Sequence, residues 1–468
     1  MDLSKIKKIY MIGIKGVGMT MLAQYFKATG FSVSGSDIRE KFMTDEILKK
    51  LKIKVFVNFK KNNIPSDVDL IIYSTAYNAE RNEEVATALV GKIKTLTYAR
   101  ALAEIFNQKD GIAVVGSHGK TTITAWLGYV LWRAGLDPNV MVGAKVPQFD
   151  GAALAGQSDY LIIEADEYQN KLKYFKPKAI ILNNIDYDHP DFFKTENDYK
   201  NVFAEFIKKI SDKGFLVANF DDLIIRKIVK ANCKGKIITY AINQTADYIA
   251  YDFMAKNNKQ YFKVKTFNKK IYGELGNFSI QLFGQHNITN ALAVIATSVE
   301  LDVDLFKIKK FLKEFSGTAR RLQVLGEFQG AIIIDDYAHH PTEIKAAIQA
   351  IRQKYGLRNL IVVFHPHTFS RTKVLFNDFV KSFTGVDELI ILDIYGSARE
   401  QQGGVSSKDL VEAIKQKNKK TKKQQEVIYI PELKKCEAYL RKRVKKKDVV
   451  ALMGAGDVFR VGENLIKK

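Results

Sequence analysis

Cysteine is scarce in this chain. Only Cys233 and Cys436 occur among 468 residues, and they stand far apart and in no paired motif. A protein that depends on disulfides or on a structural zinc ion needs several cysteines at short spacings. The sequence therefore excludes a disulfide framework, and two isolated thiols fit a reducing compartment.

Long apolar runs are also missing. No segment approaches the roughly 18 consecutive apolar residues of a membrane-spanning helix. The first residues, MDLSKIKKIYMIGIKG, lead directly into a strand and a glycine pattern, which is unlike a signal peptide. We therefore expect a cytoplasmic protein without membrane insertion, and a hydrophobic content of 46% is sufficient for folded cores.

Acidic residues are too few to balance the basic ones. The chain has 73 lysines and arginines against 51 aspartates and glutamates, which gives a net charge of +22. Much of the excess stands in two lysine runs, 415–426 and 441–448, without interleaved aromatic residues or a nucleic-acid-binding motif. We interpret the runs as solvated surface and expect no nucleic acid partner. The alternative, a basic nucleic-acid-binding protein, would bind with strong salt dependence.

Short apolar runs alternate with helical periodicity through most of the chain, and this alternation predicts an α/β fold. A chain of 468 residues is too long for one ordinary core. We predict three α/β domains, with boundaries at 1–108, 109–316 and 317–468. Between about 213 and 285 the pattern loosens into shorter alternating pieces such as KQYFKVKTF, which we interpret as antiparallel strands at the edge of the central domain.

A glycine turn follows the first strand, KKIYMIGI. It reads G-x-x-G-x-G through Gly13, Gly16 and Gly18, and a helix then continues to Gly30. Such a turn lets backbone N–H groups approach a nucleotide diphosphate, although a tight turn without a ligand has the same pattern. Taken alone, it also permits an NAD-type oxidoreductase, but no later segment suggests a hydride-transfer site.

Polar residues follow two strands of the first domain. Asp37 ends the second strand, FSVSGSD, where a partner for a ribose hydroxyl is expected. Ser74 and Thr75 follow the run DLIIYSTA and are expected to line the same crevice. Lys15 is a candidate to add positive charge near a diphosphate. These residues predict a nucleotide-type ligand in the first domain.

The strongest motif opens the second domain, between an apolar strand and an amphipathic helix that ends at Gly135. Its glycines let backbone N–H groups face phosphates, Lys120 neutralises their charge, and the Thr121 hydroxyl can bind magnesium. Val114 stands six positions before Lys120, so the loop has the shorter G-x-x-G-K-T-T form. An ordinary strand-to-helix turn would need neither the lysine nor the threonines. The loop comprises Gly116, Ser117, His118, Gly119, Lys120, Thr121 and Thr122.

Two later strand ends in the second domain supply candidate metal ligands. Glu164 stands in EADE and His189 in NNIDYDHPD, each after a buried run. Carboxylate and imidazole groups can hold the magnesium of a bound nucleotide. Alone, Glu164 could be a surface acid and His189 part of a helix-capping cluster with Asp188 and Asp191. Their joint occurrence after the phosphate loop favours the metal site.

The third domain shows four buried runs, AIIIDDYAHHP, LIVVFHPHTF, ELIILDIYGSARE and DVVALMGAGD, each ending in polar or glycine residues. Ligands of open parallel sheets bind beyond such strand ends. The seven histidines of the chain lie near strand or helix ends, and no H-E-x-x-H spacing occurs. We therefore interpret them as polar site lining and not as zinc ligands. They are His118, His189, His286, His339, His340, His365 and His367.

Seven motifs occur together in an order that resembles the Mur ligase family. They are GSHGKTT, EADE, the N-x-x-x-D-H element at 184–189, GQHNITNALA at 284–293, GTARR at 317–321, DDYAHHPTEI at 335–344 and FHPHTFSRT at 364–372. Each motif alone is weak, but the ordered set is specific and extends over nearly the whole chain.

The resemblance implies a Rossmann-like amino-terminal domain for a UDP-sugar, a central P-loop ATPase α/β domain with extra antiparallel strands, and a Rossmann-like carboxyl-terminal domain that closes over the site. It implies ATP binding by the phosphate loop together with Asn287, Asn290, Arg321 and Asp336. Magnesium would be held by Thr121, Glu164 and His189. The UDP-sugar would contact Gly13, Lys15, Gly16, Val17, Gly18, Asp37, Ser74 and Thr75.

The resemblance also implies catalytic roles for Lys120, His339, His367 and Arg371, the last three near the acceptor carboxylate and the incoming amino acid. Members that add later residues use a carbamoylated lysine about fifteen positions after the D-H histidine, whereas residues 203–205 here are Phe, Ala and Glu. The missing lysine disfavours those branches.

We therefore expect ATP- and Mg²⁺-dependent ligation of L-alanine to the carboxylate of UDP-N-acetylmuramate through an acyl phosphate, for peptidoglycan precursor synthesis. A recycling ligase that attaches a ready-made L-alanyl-γ-D-glutamyl-meso-diaminopimelate tripeptide to the same sugar is the alternative. The segment IYGSAREQQGGVSS at 394–407 looks more like the alanine-adding branch. We expect only small-molecule partners, and a monomer or a homodimer.

Overall fold

The computed structural model describes residues 5–396, 402–421 and 424–467. It contains three β-sheets of five, ten and six strands, each flanked by helices. The three-domain α/β architecture predicted from the sequence is confirmed. Residues 397–401 of the segment that favoured the alanine-adding branch lie outside the described residues.

The first sheet is entirely parallel, and it consists of β1 (Lys8–Ile12), β2 (Ser32–Asp37), β3 (Lys54–Val57), β4 (Leu70–Tyr73) and β5 (Lys94–Thr97). Its helices are α1 (Val17–Ala28), α2 (Asp45–Lys50), α3 (Glu83–Val90) and α4 (Tyr98–Phe106). The strand order is β3-β2-β1-β4-β5. The order reverses between β1 and β4, and ligands of such sheets bind beyond the strand ends at that point.

The central sheet is mixed. Its strands are β6 (Asp110–Val115), β7 (Asn139–Val146), β8 (Gly151–Leu154), β9 (Tyr160–Glu164), β10 (Ala179–Leu182), β11 (Phe215–Asn219), β12 (Lys236–Ala241), β13 (Tyr248–Lys256), β14 (Lys259–Asn268) and β15 (Ile271–Ile280). Its helices are α5 (Lys120–Ala134), α6 (Glu196–Ile207), α7 (Leu223–Asn232), α8 (Gln285–Glu300) and α9 (Leu305–Glu314). The strand order β15-β14-β13-β12-β11-β10-β6-β9-β7-β8 places β6 between β10 and β9.

The prediction of antiparallel strands over 213–285 is correct only for its second half. β13, β14 and β15 form an antiparallel meander at the sheet edge. β11 and β12 instead continue the parallel core, with α7 as the connection between them. The reason is burial: all five residues of β11 are buried, which is typical of a parallel strand covered on both faces.

The third sheet consists of β16 (Gln323–Phe328), β17 (Ala331–Asp336), β18 (Leu360–Phe364), β19 (Glu388–Ile391), β20 (Glu426–Tyr429) and β21 (Val449–Met453). Its helices are α10 (Pro341–Tyr355), α11 (Phe369–Val374), α12 (Phe376–Val380), α13 (Ser407–Lys420), α14 (Leu433–Arg443) and α15 (Phe459–Ile466). The strand order is β16-β17-β21-β18-β19-β20. The four buried runs form β17, β18, β19 and β21, whereas the sequence analysis missed the edge strands β16 and β20.

The first domain packs directly on the central domain through α1. Apolar side chains of α1 and the alanines of β8 belong to one hydrophobic cluster. Gln24 adds polar contacts, because its side-chain oxygen accepts a hydrogen bond from the Ala152 N–H at 2.9 Å. The apolar contact area holds the first two domains together.

The two lysine runs lie at the ends of α13 and α14, where most of their side chains are exposed; residues 422 and 423 lie outside the described part of the chain. Basic residues in the last turn of a helix interact favourably with its dipole. Across the described ranges, no helix has both the length and the apolar composition that membrane crossing requires.

Candidate active site

The phosphate loop joins β6 to α5, as the sequence predicted. Gly116 and Gly119 have φ angles of +130° and +83°, which side-chain-bearing residues rarely adopt. A Cβ atom on Gly116 would lie 2.8 Å from the carbonyl oxygen of Asn184, so the loop is packed against the chain that follows β10. Since α5 begins at Lys120, the unpaired N–H groups of its first turn lie at the loop, where an anion can bind.

The Lys120 ammonium group lies inside the loop. Its Nζ donates to the carbonyl oxygen of Gly116 at 2.5 Å and lies 3.0 Å from a carboxylate oxygen of Glu167. Burial alone would lower the pKa of Lys120, but Glu167, Asp166 and Glu164 outweigh it and hold the pKa above its usual value. Lys120 therefore stays charged and can neutralise phosphate groups.

The structure brings two of the three predicted metal ligands together. The Thr121 hydroxyl lies 2.9 Å from both carboxylate oxygens of Glu164, and the Gly143 N–H donates to one of them at 3.0 Å. A hydroxyl and a carboxylate are hard oxygen donors of the kind Mg²⁺ prefers. Thr121 at the start of α5 and Glu164 at the end of β9 therefore fit a metal bound beside nucleotide phosphates.

The third predicted ligand, His189, lies with other partners. Its Nε2 is 3.9 Å from a Glu167 oxygen, and ligand atoms of Asp166, Glu167 and His189 all lie within 4.8 Å of one another. From the EADE motif, only Glu164 was predicted to be a metal ligand. Three carboxylates at one strand end were a signal for a wider acidic site, and the structure shows that Asp166 and Glu167 belong to it.

A cavity of about 1010 Å³ extends from the phosphate loop between the central and carboxyl-terminal domains. Ligand pockets commonly measure roughly 300–1,000 Å³, so the cavity is large enough for a nucleotide. Asn290 donates to the side-chain oxygen of Asn287 at 3.1 Å and accepts from Asn183 at 3.1 Å. Predicted residues in the lining are His118, Gly119, Thr122, Asn287, Asn290, Arg321 and Asp336.

Asp336 supports the chain segment that carries Arg321. Its two carboxylate oxygens accept the backbone N–H groups of Leu322 at 2.7 Å and Ala338 at 2.8 Å. The Arg321 guanidinium instead lies 3.4 Å from a carboxylate oxygen of Glu343, a residue that the sequence analysis did not select. Arg321 and Asp336 thus both line the cavity, where Asp336 accepts backbone N–H groups and Arg321 lies beside Glu343.

A buried ion pair joins the central and carboxyl-terminal domains. Arg371 binds Asp188 through Nε at 2.8 Å and Nη2 at 3.3 Å, and the two side chains are only 4% and 8% exposed. Burial would raise the pKa of Asp188, but Arg371 and His189 hold it well below its usual value. Asp188, considered from sequence only as part of a helix cap, is therefore an ionised partner of Arg371.

The predicted catalytic histidines lie near this ion pair. Nδ1 of His367 is 3.2 Å from Nη1 of Arg371, and the ring centroids of His339 and His367 are 6.0 Å apart. Burial lowers the pKa of His339 to about 3, so its imidazole is neutral. The structure thus brings His339, His367 and Arg371 together, as the family resemblance implied.

The crevice of the first domain forms at the carboxyl ends of β1 and β4. The Asp37 carboxylate accepts hydrogen bonds from the backbone N–H of Lys15 at 2.7 Å and from the Tyr77 hydroxyl at 3.1 Å. Gly13 has a φ of +78°, and a Cβ atom there would lie 2.6 Å from the Tyr77 ring and 3.0 Å from Ser74. Gly13, Asp37 and Ser74 therefore surround Tyr77, an aromatic residue that the sequence analysis missed.

The Lys15 side chain has a different environment from the one expected. Its Nζ donates to the carbonyl oxygens of Ile38 at 2.9 Å and Glu40 at 2.8 Å and lies 3.4 Å from Asp45. The ammonium group holds the loop after β2, so its contacts do not support added charge beside a diphosphate. The remaining candidates flank the turn: Gly16 caps α1, Val17 and Gly18 begin it, and Thr75 is exposed after β4.

Three family models match successive parts of the chain. The model described as the Mur ligase family catalytic domain matches residues 8–110, the Mur ligase middle domain matches 114–298, and the Mur ligase glutamate ligase domain matches 320–456. Each match covers all or most of one of the three sheets.

Similar proteins extend over the full chain. UDP-N-acetylmuramate–L-alanine ligase of Desulfitobacterium hafniense is 38% identical over 461 residues, which cover 98% of this chain and 99% of that protein. The crystal structure of UDP-N-acetylmuramate-alanine ligase from Thermotoga maritima is 25% identical with a TM-score of 0.80, and 98% of each chain is covered. A murein peptide ligase from Psychrobacter arcticus, at 22% identity, 98% coverage of both chains and a TM-score of 0.74, shares the fold. These matches, which together extend over nearly the whole chain, show that the chain belongs to the Mur ligase family.

Proposed function

We propose that this protein is an ADP-forming ligase that joins L-alanine to the carboxylate of UDP-N-acetylmuramate in peptidoglycan precursor synthesis. The observation that carries the proposal is the phosphate loop that holds Lys120 and Thr121. Its residues His118, Gly119 and Thr122 line the cavity, and Arg321 lines the same cavity from the carboxyl-terminal domain. Relatives that match nearly the whole chain and bear the alanine ligase name support the choice of substrates.

In this reaction the muramate carboxylate attacks the γ-phosphate of ATP and gives an acyl phosphate and ADP. The amine of L-alanine then attacks the acyl carbon and releases phosphate. Because the carboxylate and the triphosphate are both anions, the main task of the protein is positioning and charge neutralisation. Lys120 neutralises the phosphates from the central domain, and Arg321 does so from the carboxyl-terminal domain.

The oxygen donors at the start of α5 and the end of β9 fit a magnesium ion. Thr121 and Glu164 would hold it, with Asp166, Glu167 and His189 as candidate ligands for a second ion. A bound Mg²⁺ ion would supply further positive charge to the transferred phosphoryl group.

The two outer domains deliver the other reactants. The crevice around Gly13, Asp37 and Tyr77 binds the UDP moiety, and the adjacent sheet switch point directs the sugar acid toward the phosphate loop. His367, Arg371 and the neutral His339 contact the acceptor carboxylate or the incoming amino acid. The Arg371–Asp188 contact keeps the domains closed, which excludes water from the acyl phosphate.

A phosphate-release assay tests the function. Release should require ATP, Mg²⁺, UDP-N-acetylmuramate and L-alanine together, and Lys120→Ala should be inactive. Competition between L-alanine and the L-alanyl-γ-D-glutamyl-meso-diaminopimelate tripeptide separates the alanine-adding enzyme from the recycling ligase. A preference for the tripeptide would overturn the proposed substrate, and NAD binding without ATP turnover would favour the oxidoreductase. Light scattering of the same sample distinguishes a monomer from a homodimer.

A further inference from the structure

Glu343 is a buried carboxylate in the cavity that we assign to ATP. It lies in the first turn of α10, its side chain is 10% exposed, and it lines the cavity together with His118 and Arg321. A negative charge at this place opposes the binding of a triphosphate. Its presence therefore needs a physical reason.

The two carboxylate oxygens of Glu343 contact groups from two domains. One oxygen lies 3.3 Å from Nδ1 of His118 in the phosphate loop and 3.4 Å from Nη1 of Arg321. The other accepts the backbone N–H of His339 at 3.2 Å. Glu343 thus connects the phosphate loop of the central domain with two predicted site residues of the carboxyl-terminal domain.

The groups around Glu343 keep it ionised. Burial would raise its pKa, but the hydrogen bond and positive charge of His118 and the charge of the Arg321 guanidinium hold the pKa well below its usual value. For His118, burial lowers the pKa, whereas hydrogen bonds to Asp186 and Glu343 raise it to about 9. The cavity consequently contains a carboxylate that pairs with two cations facing the expected phosphate position.

We propose that Glu343 is a positioning residue that stands in for a phosphate group: between turnovers it holds His118 and Arg321 in place, and bound ATP takes over both cations. The inference rests on the proposed function, since it requires ATP in this cavity. It accounts for the contacts of 3.3 and 3.4 Å, which are long for charged pairs and leave both cations available to an incoming anion.

The proposal predicts opposite effects on binding and turnover. Removal of the Glu343 charge eliminates a competitor for His118 and Arg321, so ATP should bind more tightly. The two cations also lose the group that fixes their position, so the chemical step should become slower. A residue with only a structural role would lower stability and weaken ATP binding, and it would not tighten it.

Glu343→Gln keeps the size of the side chain and removes its charge. We expect the Kd of the ATP analogue AMP-PNP, measured by calorimetry with Mg²⁺, and the KM for ATP to fall about tenfold, and kcat to fall about tenfold. Glu343→Asp retains the charge and should return the Kd to the wild-type value. Glu412→Gln, which removes an exposed carboxylate from α13, is the matched control and should change neither quantity.

An unchanged or higher Kd in folded Glu343→Gln would overturn the inference. If that variant does not fold, His118→Asn provides the second test, because it leaves the carboxylate with one cation fewer and should raise the Kd for AMP-PNP about tenfold. An unchanged Kd there would also overturn it. Wild-type protein and Lys120→Ala separate a failure of the proposed function from a failure of the Glu343 inference. If neither protein binds AMP-PNP, or if both bind it equally, the proposed function fails. If only the wild type binds it tightly, the results for Glu343→Gln test the role of Glu343 alone.

Discussion

The ion pair between Asp188 and Arg371 allows a quantitative test of how the carboxyl-terminal domain is held over the site. Asp188→Asn keeps the shape of the side chain but leaves the Arg371 guanidinium buried without a charged partner. The side chains are 4% and 8% exposed and share contacts of 2.8 and 3.3 Å, so solvent screens the pair little. Removal of one partner of such a pair costs about 3–5 kcal/mol.

Asp188→Asn destabilises the closed arrangement of the two domains, because opening of the domains would let water solvate the unpaired Arg371. We therefore expect the lower end of the range, about 3 kcal/mol, which corresponds to a loss of about 150-fold in kcat/KM. Phosphate release with saturating ATP and varied UDP-N-acetylmuramate measures this loss.

A double-mutant cycle separates the pair from the individual residues. Arg371→Met should lose at least as much activity as Asp188→Asn, and the double variant should be no worse than Arg371→Met alone, because its partner charge is already gone. Arg441→Met, which removes a partly exposed arginine from its pair with Glu437, is the control and should retain near-wild-type activity. Less than about a fivefold loss in Asp188→Asn, or losses that multiply in the double variant, would refute the reasoning.

Three further predictions concern the metal site, pH and the core. Thr121→Val removes the hydroxyl beside Glu164 and should raise the Mg²⁺ concentration for half-maximal activity about tenfold or more, whereas Thr121→Ser should stay near wild type in the same titration. The pKa of His118 is raised from 6.5 to about 9, so its ion pairs stabilise the fold fully below pH 6.5 and are lost as the pH rises through about 9. The difference in unfolding free energy between wild type and His118→Asn should therefore shrink between about pH 6 and about pH 10, and a constant difference would contradict this. Trp126 is fully buried and stacks on Phe315 at 5.3 Å, so Trp126→Ala should lower the free energy of unfolding in a denaturant titration by about 3–5 kcal/mol.

The sequence by itself determined the features that depend on neighbouring residues. The phosphate loop was predictable because its glycines, lysine and threonines act within one strand-to-helix connection. Helix α5 ended at Gly135 as predicted, since glycine readily adopts the left-handed conformation seen there, with φ of +94°. Buried apolar runs likewise identified central strands of all three sheets, because burial on both faces of a parallel strand leaves a continuous apolar pattern. They include β1, β4, β6, β9, β10, β17, β18, β19 and β21.

Only the tertiary structure decided which charged groups meet. Asp188 and Arg371 are 183 residues apart, and Glu343 reaches His118 from another domain, so no local spacing could pair them. The sequence also could not determine the contacts of the Lys15 ammonium group, because a long flexible side chain has several partners within reach. Strand order and domain packing brought these charged groups together. Because the groups are buried, solvent screens them little, and the attraction between opposite charges is stronger than at the surface.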